Sequence, residues 1–165
     1  MKKLKLLLLC PIFTLLLLSC SKDENEIIHP TNEDVILENI SYGAHDRNKM
    51  DIMLPSGRNT TKTKILVLIH GGGWIGGDKS DFDVILNRDN LENLKKEFPD
   101  IAVFSFNYRL ATSEANQYPA AEQDVKAAMD FIFKNASSYQ VNSNATYILG
   151  GSAGAHLAAL YTVKN

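Results

Sequence analysis

Three short apolar runs, Lys64-Ile65-Leu66-Val67-Leu68-Ile69, Ile101-Ala102-Val103-Phe104-Ser105-Phe106 and Ala145-Thr146-Tyr147-Ile148-Leu149, set the strongest limit on what this chain can fold into. Each is too short for a buried helix, and the first is bounded by polar residues before and glycines after. The first two read as buried strands, the first covered on both faces, and the third as a strand. Between them lie segments with helical spacing. Asp81 to Phe98 carries Leu91, Leu94 and Phe98 ahead of Pro99, and Ala121 to Ala136 sets Val125, Ala128, Met129, Ile132, Phe133 and Ala136 on one face, with Pro119 suited to its first turn. Ala153 to Val163, rich in Ala and Leu, is a third helix. Two shorter, partly alternating runs at Val35–Ile40 and Met50–Leu54 come first, as expected of exposed strands at a sheet edge, and Pro55-Ser56-Gly57 ends the second. Two strands followed by three strand and helix units predict an α/β domain, a mostly parallel sheet flanked by helices.

Two glycine motifs occupy the ends of these strands. Gly150-Gly151-Ser152-Ala153-Gly154 lies between the last strand and the last helix. A turn that tight holds its serine in a strained backbone geometry, and glycines two before and two after let the neighbouring backbone pass without Cβ clashes. It sets Oγ beside a helix N-terminus, where developing negative charge is favoured. A phosphate loop or a plain connection is also compatible with that motif alone. His70-Gly71-Gly72-Gly73-Trp74 directly follows the strand at Lys64 to Ile69. Backbone N–H groups can come within about 3 Å of a tetrahedral oxyanion only where side chains do not intervene, and a glycine run meets that need.

These two motifs, with Asn107-Tyr108-Arg109-Leu110-Ala111, Tyr118-Pro119-Ala120-Ala121 and Asp124, resemble the hormone-sensitive-lipase-like and acetyl or feruloyl esterase branch of the α/β-hydrolases, from about Val35 to the last residue. The resemblance implies the α/β-hydrolase fold, Ser152 as nucleophile, and the N–H groups of Gly72, Gly73 and Ala153 as the oxyanion hole. It gives Trp74 a place in the acyl or alcohol pocket, with a packing role as the alternative. His70 would brace the glycine loop. Asp124 would cap a helix or brace a loop, and His156 would be structural, a turn down the helix and under the sheet. His29 and His45 have no visible partner. The reaction implied is hydrolysis of a carboxylic ester through an acyl-enzyme, without cofactor or metal, on a small-molecule or acylated carbohydrate ester. An arylformamidase or a lipase-like hydrolase shares both motifs, and a rival of another class is an inactive surface lipoprotein or binding module.

In this fold the catalytic acid and histidine follow the serine in the chain. Only 13 residues follow Ser152, and none is Asp or Glu. The expectation is therefore a domain truncated after the elbow helix, with negligible esterase activity in these 165 residues and an exposed apolar strand edge at Ala145 to Leu149.

The N-terminus predicts export. Three lysines in Met1 to Lys5 precede Leu6 to Leu18, an apolar run broken only by Cys10, Pro11 and Thr14. At 13 residues it is shorter than the roughly 20 of a spanning helix. Leu17-Leu18-Ser19-Cys20 resembles the bacterial lipobox, which implies a signal peptide at residues 1–19 and a lipid on Cys20 that holds the protein at an outer membrane or cell surface. The polar stretch 20–34 reads as a tether, and Ser21 to Glu26 resembles the acidic surface-export signal of bacterial lipoproteins. Without the signal, 14 basic face 19 acidic side chains, a net charge of −5 that offers no basic patch to nucleic acid. The hydrolase domain would span residues 35–165. Cys10 leaves with the signal, so no disulfide is available to the domain.

Overall fold

The computed structural model describes residues 31–83 and 88–165. The predicted signal peptide, most of the polar stretch, Cys20 and His29 lie outside them. Five strands form one sheet: β1 (Val35–Ser41), β2 (Lys49–Leu54), β3 (Lys64–Ile69), β4 (Ile101–Phe106) and β5 (Thr146–Gly150), in the order β1-β2-β4-β3-β5. β1 and β2 are antiparallel, β2 runs antiparallel to β4, and β3 lies parallel between β4 and β5. This is the predicted α/β sheet with its parallel half built from the three apolar runs. One expectation changes. β2 is not an exposed edge strand, since Met50, Ile52, Met53 and Leu54 are all buried between β1 and β4.

Alternation along the strands splits the core in two. Ile65, Val67 and Ile69 of β3, with Ala102, Phe104 and Phe106 of β4 and Met50, Ile52 and Leu54 of β2, pack against α2 (Ala120–Lys134) and α3 (Ala153–Lys164). Leu68, Val103 and Met53 point to the other face, where Leu94 of α1 (Arg88–Glu97) and Phe82 cover them. Side chains of period two thus need helices on both faces, which gives three layers.

Of the helix predicted from Asp81 to Phe98, Arg88–Glu97 forms α1, and a 3₁₀ turn at Lys79–Phe82, opened by the capping box of Asp78 with Asp81, stands at its predicted start. Phe98 is exposed rather than packed, and so, in part, is Phe133. α2 begins at Ala120 and buries Val125, Ala128, Met129 and Ile132 as its periodicity requires. The chain joins the domain slightly before β1: Gly57 N–H donates to the Thr31 carbonyl at 2.6 Å, and Asp34 takes the Lys95 ammonium at 2.6 Å.

Candidate active site

β5 ends at Gly150 and α3 starts at Ala153, so two residues reverse the chain above the sheet. Ser152, the second of them, has φ 50° and ψ −115° and is exposed. A side chain there is strained, and the surroundings must enforce it. Glycines provide the fit. A Cβ on Gly154 would overlap the carbonyls of Ile69 and His70, and one on Gly150 would overlap the backbone of Gly154. The turn is also tied to β3, since Gly151 N–H donates to the Ile69 carbonyl at 3.3 Å.

The glycine loop leaves β3 beside this turn. A Cβ on Gly71 would stand 3.0 Å from the Gly151 oxygen and 3.5 Å from Ser152 Cβ. Gly72, Gly73, Trp74 and Gly77 have φ of 97°, 60°, 66° and 92°, and Ile75 and Gly76 both donate to the Gly72 carbonyl, at 3.1 and 3.0 Å. The loop therefore curls on itself and uses up its carbonyl. The N–H groups of Gly72, Gly73 and Ala153 donate to no acceptor among the described residues. For Ala153 this follows from its place at the start of a helix.

His70 is buried and stacked on Tyr108, with ring centroids 4.2 Å apart. Its Nδ1 lies 2.8 Å from the Gly71 carbonyl. Burial, aided by the Arg47 cation, holds His70 below the ordinary imidazole value, against the Gly71 hydrogen bond and the carboxylates of Asp81 and Asp78. Tyr108 donates its hydroxyl to Gly71 and His70 carbonyls at 2.9 and 3.1 Å, and burial pushes its pKa up to about 12. This histidine is engaged in the loop itself. Asp124 lies inside α2 rather than at its cap, and accepts Arg109 N–H at 2.7 Å and Arg109 Nε at 2.9 Å, bracing the chain after β4.

An apolar cavity of about 380 Å³ opens next to these groups, walled by Trp74, Ile75, Tyr118, Pro119, Leu157 and Leu160. Trp74 is 40% exposed and contributes one wall. His156 belongs here too, which corrects the expectation that it lies under the sheet. It is exposed, lines the cavity, and meets the Trp74 ring edge-on at 5.4 Å. Residues four apart share a helix face, so a side chain one turn beyond Ser152 stays on the side of the elbow; that spacing was the available signal. Among the described residues no three His, Cys, Asp or Glu side chains converge where a metal could bind.

Residues 50–165 match the family model described as BD-FAE. The chain is similar to isoprenylcysteine alpha-carbonyl methylesterase of Arabidopsis thaliana, 31% identical over 124 residues, which cover 75% of this chain and 27% of that protein. Among solved structures it resembles a bifunctional GH43-CE protein of Bacteroides eggerthii, with TM-score 0.64, 31% identity, and coverage of 83% of this chain and 18% of the other. A truncated carbohydrate esterase from gut microbiota gives TM-score 0.63 and 29% identity, covering 82% and 45%. The chain spans about a quarter of the length of the curated relatives it matches.

Proposed function

The chain belongs to the BD-FAE family, of esterase-type α/β-hydrolase fold, and from that premise we propose that the protein hydrolyses carboxylic esters with Ser152 as nucleophile. One observation carries the reading. Ser152 is held at φ 50° with Gly71 of the glycine loop packed against it, and the N–H groups of Gly72, Gly73 and Ala153 have no acceptor among the described residues. Such donors, fixed in advance, stabilise the oxyanion of a tetrahedral intermediate without reorganising.

In the proposed reaction Ser152 Oγ attacks the ester carbonyl carbon while its proton passes to a base. The carbonyl oxygen becomes the oxyanion and accepts from Gly72, Gly73 and Ala153 N–H. Collapse expels the alkoxide, which takes the proton back from the base and leaves as the alcohol; water then opens the acyl-serine, losing a proton to the base, which passes it to Ser152 Oγ as the acid is released. His70 is not that base, because it is buried against Tyr108 and its Nε2 faces the Arg47 guanidinium. The apolar cavity beside Trp74 would receive the acyl or alcohol group. Acylated carbohydrate is the substrate class we favour, supported by likeness to proteins named as carbohydrate esterase and GH43-CE. Export and anchoring through a lipid on Cys20 form part of the same proposal.

The test is a fluorophosphonate probe on the full-length protein, followed by acetylated and feruloylated oligosaccharides as substrates. Labelling that disappears in Ser152→Ala, with ester cleavage lost in parallel, is the expected result. A parent protein that neither labels nor cleaves any ester would refute the proposal.

A further inference from the structure

The loop that carries Gly72 is held from a distance by a residue in the turn between β1 and β2. Arg47 sends Nε to the Tyr108 carbonyl at 2.9 Å and Nη2 to the Gly77 carbonyl at 2.9 Å; the same Nη2 stands 3.5 Å from His70 Nε2. Its Nη1 lies 3.6 Å from Asp78, which Asn107 Nδ2 ties to the end of β4 at 2.7 Å. One planar guanidinium thus joins both ends of the glycine loop to the segment after β4. A lysine, with a single ammonium, cannot span those directions.

The His70 tautomer follows from both of its neighbours. A carbonyl only accepts, so Nδ1, at 2.8 Å from Gly71 O, must carry the proton; a guanidinium only donates, so Nε2 facing Arg47 must be bare. The Gly71 carbonyl then receives Nδ1–H from His70 and the Tyr108 hydroxyl at 2.9 Å. Gly77 closes the remaining side, and a Cβ there would come within 2.5 Å of His70 Nδ1 and 2.6 Å of Gly71 O. A trans peptide points its C=O and the next N–H in opposite directions. Whatever fixes the Gly71 carbonyl therefore fixes the Gly72 N–H.

We propose that Arg47 is a positioning residue for the Gly71–Gly72 peptide: by holding Gly77 and the His70 tautomer it keeps the Gly71 carbonyl turned inward and the Gly72 N–H turned out of the loop. The functional meaning rests on Gly72 as an oxyanion donor, as proposed above. The positioning itself does not.

The experiment follows the His70 ring nitrogens and the Gly72 amide by NMR across a pH series, in the full-length protein and in Arg47→Gln and Arg47→Lys, with thermal melting as the check on folding. The charged groups around the ring are Arg47, Asp78 and Asp81, and the titratable Tyr108, stacked on it, is neutral. In the parent, the ring is in the Nδ1–H form. In Arg47→Gln the cation is gone while both carboxylates remain, so His70 titrates at higher pH and the Gly72 amide signal shifts. In Arg47→Lys the titration stays low but the amide remains displaced. An Nε2–H ring in the parent overturns the proposal even if Arg47→Gln fails to fold, as does a folded Arg47→Gln with unchanged ring and amide signals, or full recovery of the amide in Arg47→Lys. Kinetics separate this from the function. In an active parent, Arg47→Gln lowers kcat about 10- to 100-fold with little change in KM, and an equal loss in a folded variant through KM alone speaks against it. A parent without esterase activity sinks the proposed function and leaves the spectra to decide the role of Arg47.

Discussion

Gly154 and Gly151 flank the same serine, yet the structure asks opposite things of them. A methyl on Gly154 meets the fixed carbonyls of Ile69 and His70, whereas one on Gly151 meets nothing within 4 Å. Gly154→Ala should lose about 3 kcal/mol or more of stability and Gly151→Ala should stay within about 0.5 kcal/mol, as read from urea unfolding; similar losses for both would show that this contact is not tight. His70 supplies a pH signature. Its folded pKa is below the ordinary 6.5, so as pH falls through that value the unfolded chain takes up a proton that the folded chain refuses. Stability should therefore be full above about pH 7.5 and fall toward about pH 5, and His70→Gln should flatten that part of the melting-temperature profile. The serine turn and the glycine loop were legible because each is a local motif at the end of a strand, and the bracing place of His70 came only with the family resemblance. Arg47 was not, since it is 23 residues from His70 and 61 from Tyr108 and carries no motif. His156 departs from expectation for a different reason: the upward elbow suggests a helix that leads away from the site, whereas a spacing of four keeps this side chain on the Ser152 side.

Among elements, β3 and β5 show how far periodicity reaches. β3 is an apolar run buried on both sides, and its central place between β4 and β5 is what the run implied. β5 alternates instead. Tyr147 and Leu149 are 55% and 54% exposed, and the strand pairs with β3 alone among the described residues. Such an edge invites strand pairing between molecules. The 165-residue chain should self-associate in sedimentation, and Tyr147→Lys with Leu149→Lys should reduce that association; no change would exonerate this edge. The link between α2 and the chain after β4 is a second test. Asp124 is buried against Arg109, whose pKa is raised by that hydrogen-bonded carboxylate. Asp124→Ala should lose about 1 to 3 kcal/mol in chemical denaturation, since Arg109 N–H and Nε lose their buried acceptor. The 3₁₀ turn was harder to foresee, because its start is set by the capping bonds of the Asp78 side chain and not by apolar spacing.

For the molecule as a whole, three layers follow from strands whose alternate residues are apolar on both sides, and this much is legible in the sequence. Placement of the cavity could not, because it joins Ile75, Tyr118 and Leu160 from three separate elements. Anchoring is testable at this scale: a clickable fatty acid fed to cells should enter the protein and be absent from Cys20→Ser, and equal incorporation in both would remove the lipid from Cys20. The interlock of Gly154 with Ile69 and His70 has a consequence for how such proteins diversify. The serine turn and the glycine loop cannot drift apart by small steps, because either one moving alone collides with the other. Novelty must enter through the loop from Thr112 to Tyr118, which borders the cavity without touching that interlock. A library confined to those seven positions would alter what is accepted while inheriting the serine turn intact.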